Sequence, residues 1–439
     1  MKKVVKFGGS SLASAEQFKK VGAIIRADEN RRYVVPSAPG RRFSKDVKVT
    51  DMLYRCYATA EAERDFTKDL QSIWSRYDEI IQGLGLNLNL DGEFAVIEEN
   101  FRKKVGSDYA ASRGEYLNGI VMANYLGYEF LDAAEVICFA EDGTFDAEKT
   151  NDVLGARLKE MKHAVIPGFY GSMPDGRVKT FSRGGSDVTG SIVARAAHAA
   201  LYENWTDVPG FLVSDPRIVE NPEVISTITY KELRELAYMG ASVLHEDAIF
   251  PVRKAGIPIN IRNTNAPEEP GTMIVSTTCA KSPYTVTGIA GKKGFVAVNI
   301  EKDLMNSEVG FVKRVLEAFE MYGISIEHVP SGIDTMSVFV EQDQFEKKEQ
   351  QVLSAINRLV KPDIITLSTD LALIAVVGRS MKNARGTAGR VFASLTHARI
   401  NVRMIDQGSD EENIIIGVKN DDFENAIRAI YAIFVDAQL

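Results

Sequence analysis

The chain has 439 residues, of which 45% are hydrophobic and 26% charged, enough to bury large cores in two to four domains. Its formal net charge of -8 argues against a general nucleic-acid or membrane-surface binder, although a local pocket can still hold a small anion. Three scattered cysteines without CxxC spacing and the lack of any apolar run of transmembrane length predict a cytoplasmic protein with no disulfide framework, no zinc site and no membrane partner.

The first predicted elements flank a glycine loop. Lys3–Phe7 is an apolar run typical of a short buried strand, and Ala15–Arg26 carries apolar residues at helical spacing. The sequence therefore predicts strand, glycine loop and helix.

Short apolar runs and helical patterns alternate as far as residue 282. This alternation predicts an α/β domain with a largely parallel sheet, assigned to residues 1–282. The further strands are predicted at 33–36, 130–132, 164–168, 199–204 and 257–262, and two of the helices at 186–198 and 230–239.

An internal repeat follows. Residues 310–332 align with 386–408 at a constant offset, so that Arg314 matches Arg390 and Ile324 matches Ile400. Each copy is expected to run strand, helix, strand, hairpin, strand, helix, which is a ferredoxin-like pattern. The two copies are assigned to 296–370 and 371–439, and residues 283–295 are either a linker or part of the first copy.

The stretch "KFGGSS" ends the first strand with Lys6. Glycines at 8 and 9 would let backbone N–H groups of Gly8, Gly9 and Ser10 approach one anion, with the lysine and the helix N-terminus adding positive charge. An ordinary strand-to-helix turn explains the same residues.

A second diglycine occurs in "KTFSRGGSDVTGS", residues 179–191. Arg183 precedes the glycines, and Ser186 and Asp187 follow at a predicted helix start, where either residue could simply be an N-cap. Two loops that each combine a basic residue with two glycines favour two anion sites in one domain.

Two further stretches allow a structural or a functional interpretation. In "SRGEYLNG", Glu115 lies at a predicted helix start, where it either complements the helix dipole or holds an ammonium group. The stretch 204–222 is rich in turn formers and is either a surface loop or a clasp for a nucleotide.

Taken together and in this order, "KFGGSS", "SRGEYL", "FSRGGSD" and "WTDVPGFLVSDPR" resemble the aspartate kinases of the amino acid kinase superfamily. The resemblance implies an amino acid kinase fold followed by two ferredoxin-like ACT domains, and transfer of phosphate from ATP with Mg²⁺ to L-aspartate. It implies phosphate or nucleotide contacts by Lys6, Gly8, Gly9, Ser10, Thr206, Asp207 and Arg217.

The same resemblance implies an aspartate half-site and an organising carboxylate. Arg183 would clamp a carboxylate of aspartate and Glu115 its ammonium, with Thr50 and Ser186 nearby. Asp187 would organise the catalytic centre together with Lys6, and no dedicated metal-ligand cluster is expected.

The C-terminal repeat resembles paired ACT domains, which implies feedback control and a homodimer or higher oligomer. The effector would be lysine or threonine. In the first copy, the loop with Asn306, Ser307 and Gly310 leads into a helix whose free N–H groups could take the effector's carboxylate, and Glu327 could take its ammonium. Glu327 could equally be a solvated strand residue.

One departure concerns "GASVLH", where many members of the family carry a lysine and this chain has Ser242. Lys254 or Arg217 could replace that charge. His245 is expected to be structural. The departure leaves two rival hypotheses, a non-catalytic ACT-based amino-acid sensor and another kinase of the superfamily.

Overall fold

Two units make up the chain in the computed structural model, which describes residues 1–182, 184–241, 244, 246–278, 282–408 and 412–436. One unit comprises Met1–Phe211, Ser226–Tyr230 and Val243–Thr278; the other comprises Leu212–Ile225, Lys231–Ser242 and Cys279–Leu439. The units are therefore not contiguous ranges, since two segments from within the predicted domain 1–282 belong to the second unit. The predicted domain limits themselves stay predictions.

A sheet of eight strands forms the centre of the first unit, in the order β3-β4-β2-β1-β7-β9-β10-β8. Neighbouring strands are parallel except β9 and β10, which confirms the largely parallel sheet. Its strands are β1 Lys3–Phe7, β2 Arg31–Pro36, β3 Glu129–Phe130, β4 Ala164–Val165, β7 Leu201–Thr206, β8 Thr227–Thr229, β9 Ile259–Asn263 and β10 Thr272–Val275, and a separate hairpin consists of β5 Tyr170–Ser172 and β6 Val178–Thr180.

Ten α-helices are described between residues 1 and 255. They are α1 Ala15–Arg26, α2 Val49–Glu61, α3 Thr67–Leu84, α4 Asp91–Arg102, α5 Ser107–Leu126, α6 Ala133–Val136, α7 Ala147–Glu160, α8 Gly185–Ala196, α9 Tyr230–Tyr238 and α10 Glu246–Ala255. Strand β1 and helix α1 coincide with the predicted ranges. Strand β4 is shorter than predicted because Pro167 lies in the predicted range 164–168 and has no N–H group for a strand ladder.

Strand β1 is covered on both faces. Phe7 packs into a core with residues of α1, α2, α3 and α5, whereas Lys6 forms an ion pair with Asp187 of α8. Because successive side chains of a strand point to opposite faces, α8 and the α1 side of the core lie on opposite faces of the sheet.

The second unit is built on an antiparallel sheet of five strands in the order β12-β11-β13-β15-β14. Apolar residues of β11 and β12 pack with those of α11 and α13 in one core. The strands are β11 Gly288–Glu301, β12 Thr335–Glu341, β13 Ile364–Val377, β14 Met404–Asp406 and β15 Asn413–Lys419, and the helices are α11 Phe311–Glu320, α12 Gln342–Glu346, α13 Glu349–Val360, α14 Thr387–His397 and α15 Phe423–Tyr431.

The repeat is visible in this unit, and one of its strands differs from the prediction. The second strand expected in the first copy is reduced to isolated bridges of His328 with Phe339 and Ser331 with Met336. In addition, β11 begins at Gly288, so residues 288–295 are strand rather than linker, and β13 runs through the predicted limit at 370.

Candidate active site

The buried end of β1 holds a lysine that is paired with a carboxylate. Lys6 is only 7% exposed, and its Nζ lies 2.6 Å from Oδ1 of Asp187. Asn204 pairs with Lys6 in the register of β1 and β7 and donates from Nδ2 to the same oxygen at 2.8 Å. Two donors therefore hold one carboxylate oxygen at the switch from β1 to the glycine loop.

Sequence reasoning brought Lys6 and Asp187 together but missed Asn204. The sequence feature that could have identified Asn204 is the presence of an asparagine in the buried strand "LYENWT", where a polar side chain needs a hydrogen-bond partner.

The glycine loop differs from its prediction in one respect. The N–H of Gly8 donates to the carbonyl oxygen of Trp205 at 3.0 Å, so this amide is committed to the neighbouring strand and is not aimed at an anion. A Cβ on Gly9 would lie 2.8 Å from the carbonyl oxygen of Ala38, and one on Gly40 would lie 2.5 Å from the carbonyl carbon of Gly9. The glycines at 9 and 40 thus permit two backbone segments to cross at close range.

Helix α5 carries Glu115 against that crossing. The prediction placed Glu115 at a helix start, and this is wrong, because α5 begins at Ser107. Glycine at 114 serves close packing instead: a Cβ there would lie 2.8 Å from that of Ala38 and 3.8 Å from Oγ1 of Thr50. Thr50 and Glu115, both predicted on the aspartate side, therefore flank the same loop.

Glu115 is a buried carboxyl without a full set of partners. It is 5% exposed, and its Oε2 has no hydrogen-bond partner among the described residues. Burial raises its pKa from 4.5 to about 8, although the backbone N–H of Ala38 and the charges of Arg113 and Lys6 favour the ionised form. A cationic group arriving at Oε2 would stabilise the carboxylate.

The start of α8 brings Ser186 beside the sheet. The N-cap is Gly184, with φ of 56°, so neither Ser186 nor Asp187 serves as the N-cap. Ser186 is buried, and a Cβ on Gly168 would lie 2.6 Å from its Oγ. Arg183, Ser242 and His245 lie outside the described residues.

The residues predicted to contact the nucleotide fall into two groups. Thr206 ends β7 beside the end of β1, and its hydroxyl donates to Oδ1 of the exposed Asp207 at 3.2 Å. Arg217 belongs to the second unit, where its exposed guanidinium pairs with Asp215 at 2.6 Å. Lys254, the other proposed replacement for the missing lysine, lies 3.8 Å from Glu148 and both side chains are exposed.

The predicted effector residues form a loop of their own in the second unit. The N–H of Asn306 donates to the carbonyl oxygen of Ile333, and the hydroxyl of Ser307 to that of Leu304. Gly310 is the N-cap of α11 with φ of 80° and no side-chain cap.

Glu327, on the neighbouring segment of that unit, is not simply solvated. Its Oε2 accepts a hydrogen bond of 2.6 Å from the hydroxyl of Tyr238 on α9. Burial raises the pKa of Tyr238, and the hydrogen bond and charge of Glu327 raise it further.

Two features are absent from the residues that the structure describes. Within those ranges, no group of three or more His, Cys, Asp or Glu side chains is arranged to hold a metal ion. In the same part of the chain, no helix combines the length and apolarity needed to cross a membrane.

Comparison with known proteins agrees with the geometry. Residues 1–263 match the sequence profile of the Amino acid kinase family, and residues 374–434 match that of the ACT domain. Aspartokinase 3 of Bacillus subtilis (strain 168) is 39% identical over 98% of both chains. A crystal structure of Clostridium acetobutylicum aspartate kinase is 51% identical, with a TM-score of 0.89, and covers 99% of this chain and 100% of that one.

A more distant structure shows the same fold. E. coli aspartokinase III in complex with aspartate and ADP superposes with a TM-score of 0.72 at 24% identity, covering 99% of each chain. The match of the family profile to more than half of the chain, together with the similarity along nearly its whole length, shows that this chain belongs to the amino acid kinase family, among its ACT-containing aspartate kinases.

Proposed function

We propose that the chain transfers the γ-phosphoryl group of ATP to the side-chain carboxylate of L-aspartate and forms 4-phospho-L-aspartate and ADP. The observation that carries this proposal is the placement of a buried lysine and a buried carboxyl at the same end of β1 and its adjoining loop. Lys6 is held by Asp187 at the end of β1, and Glu115, on the helix that packs against the adjoining loop, has one carboxyl oxygen without a hydrogen-bond partner in the part of the chain that the structure describes. One suits a phosphate and the other an ammonium group.

The reaction needs charge neutralisation more than proton transfer. The β-carboxylate of aspartate is ionised at neutral pH, so an oxygen of that carboxylate attacks the γ-phosphorus without a general base. The bond from phosphorus to the β,γ-bridging oxygen breaks, and its electron pair leaves with ADP. Lys6 is held in place by Asp187, whose carboxylate also accepts from Asn204, and it opposes the negative charge that two anions bring together.

Mg²⁺ fits this centre, since Asp187 supplies a carboxylate beside the buried lysine. The ion would be held mainly by phosphate oxygens, with Asp187 through water, and it would supply further charge neutralisation on the phosphates. The proposed contacts to ATP are Lys6, Gly9, Ser10, Thr206, Asp207 and Arg217. Gly8 is not among them, because its N–H donates to the carbonyl oxygen of Trp205.

On the amino-acid side, Glu115 would hold the α-ammonium group and Arg183 a carboxylate, with Thr50 and Ser186 close by. Burial supports this assignment for Glu115. It raises the pKa of the carboxyl to about 8, and a cationic partner would stabilise the ionised form that burial disfavours.

Feedback control would act through the first repeat copy. The effector, lysine or threonine, would place its carboxylate at the loop of Asn306, Ser307 and Gly310 and its ammonium at Glu327. The hydroxyl of Tyr238 already occupies Oε2 of Glu327, so the effector's ammonium would have to compete with this hydrogen bond.

A homodimer or higher oligomer is proposed, and the product would enter synthesis of lysine, threonine and methionine.

A coupled assay of ADP release tests the proposal against its rivals. An aspartate kinase releases ADP in proportion to added L-aspartate. An amino-acid sensor without catalysis releases none with any amino acid, and another kinase of the family responds to a different acceptor such as N-acetylglutamate or carbamate.

A further inference from the structure

A second acceptor without a partner lies on helix α5, three residues after Glu115. Asn118 is completely buried; its Nδ2 donates to the carbonyl oxygen of Ser37 at 2.6 Å, while its Oδ1 has no hydrogen-bond partner among the described residues. Residues three apart on a helix share a face. A buried acceptor left without a partner is destabilising, so this oxygen calls for a donor.

Asn118 and Glu115 meet at one peptide group. The carbonyl of Ser37 and the N–H of Ala38 belong to the same peptide; Asn118 binds the first, and the second stabilises the carboxylate of Glu115. Side chains three residues apart on a helix have Cβ atoms about 5–6 Å apart, so Glu115 and Asn118 lie side by side on the face of α5 that meets this loop.

The orientation of the Asn118 amide follows from its partner. Turning the amide over would bring its oxygen against the oxygen of Ser37, two acceptors in contact, so the carbonyl selects the orientation with Nδ2 toward the loop. Oδ1 is thus directed away from Ser37. Arg113, the nearest cation along α5, does not serve either oxygen, because its guanidinium donates to Ser112 and lies over the ring of Tyr116 at 4.2 Å.

We infer that Asn118 is a specificity-determining residue: its Oδ1 accepts one N–H of the substrate's α-ammonium group while Oε2 of Glu115 accepts another. The inference rests on the proposed function. A protonated primary amine has three donors, so it can satisfy both oxygens, whereas an acylated amine has one donor and no charge. The pair therefore selects a free amino acid over an N-acylated one.

The test separates contact with the ammonium from support of the loop. Asn118→Leu keeps nearly the same side-chain shape and removes the acceptor. Succinate and L-malate keep both carboxylates of aspartate and replace the ammonium with hydrogen or hydroxyl. Their competitive inhibition constants are compared with the dissociation constant of aspartate in wild-type and variant enzyme.

We expect Asn118→Leu to weaken aspartate binding about five- to tenfold more than it weakens binding of either analogue. The matched control is Arg76→Met, which removes a different anchor of the same loop, the bond from Nη2 to the carbonyl oxygen of Gly40 at 3.0 Å. This control should weaken aspartate and the analogues equally.

Equal weakening of all three ligands by Asn118→Leu would overturn the inference, because Asn118 would then act only through Ser37. Should the leucine variant fail to fold, Asn118→Ala provides the same comparison. Failure of the proposed function is a separate result, since wild-type enzyme would then neither bind aspartate nor release ADP with it.

Discussion

Buried Glu115 makes the ligand-free protein less stable as the pH rises. Its pKa is about 8 in the folded chain against an ordinary 4.5, and this difference of about 3.5 corresponds to about 5 kcal/mol. Between the two values the folded protein retains a proton that the unfolded chain has lost. The free energy of unfolding therefore falls from about pH 4.5 to about pH 8 and takes no further contribution from this group above that.

Glu115→Gln removes this titration with little change of shape. We expect the variant to gain stability over the wild type as the pH rises, by about 3.5 kcal/mol between pH 5 and pH 8. Denaturant unfolding of both ligand-free proteins at pH 5, 6, 7 and 8 measures the difference. Glu61→Gln, at an exposed position of α2, is the matched control and should show no such trend.

A stability difference that is the same at pH 5 and pH 8 would refute the reasoning.

A second measurement follows from the same carboxyl. The ammonium of aspartate requires the ionised form of Glu115. Binding of aspartate at pH 7 should therefore release about one proton from Glu115, which is measured as a dependence of the binding enthalpy on the buffer. The kcat/KM for aspartate should accordingly rise with pH up to about 8.

The remaining predictions concern the lysine, the loop crossing and the effector site. Lys6→Met should lower kcat about 10²-fold or more in a folded protein, and near-normal turnover would exclude its role in the transition state. Gly40→Ala places a methyl group 2.5 Å from a facing backbone carbon and should cost about 1–3 kcal/mol of unfolding free energy, whereas Gly92→Ala, with open space around it, should not. Glu327→Ala should weaken inhibition by the cognate amino acid at least about fivefold without changing uninhibited turnover, and Tyr238→Phe, which removes the competing hydroxyl, should strengthen it about threefold; unchanged inhibition curves in both would move the effector site elsewhere.

The spacing of apolar residues in the sequence predicted the elements that have one apolar and one polar face. Helix α1 matches its predicted range because apolar residues line one face of it. Helix α5 is buried on nearly all sides, so it has no polar face to reveal its period, and its start at Ser107 was missed. Glycine at 114 then suggested a helix start, when its actual role is to let α5 approach Ala38.

The site depends on contacts that no local pattern contains. Lys6 and Asn204 are adjacent only because β1 and β7 are neighbours in the sheet, and Asp187 joins them from a helix on one face. The family motifs identified the first and the last of these residues. The asparagine carries no motif, and its role is visible only in the strand register.

The two repeat copies share a backbone arrangement and differ in charge. The N–H of Glu327 donates to the carbonyl oxygen of Phe339, and that of its counterpart Arg403 donates to Gly417, so each residue is held beside a strand of its own copy. The side chains at these equivalent points have opposite charges. An ammonium group that is attracted to Glu327 is repelled by Arg403, and no rearrangement of the backbone is needed to make the copies different. Duplication thus produces two copies with a similar backbone, and a single reversal of charge is enough to direct a cationic ligand to one of them.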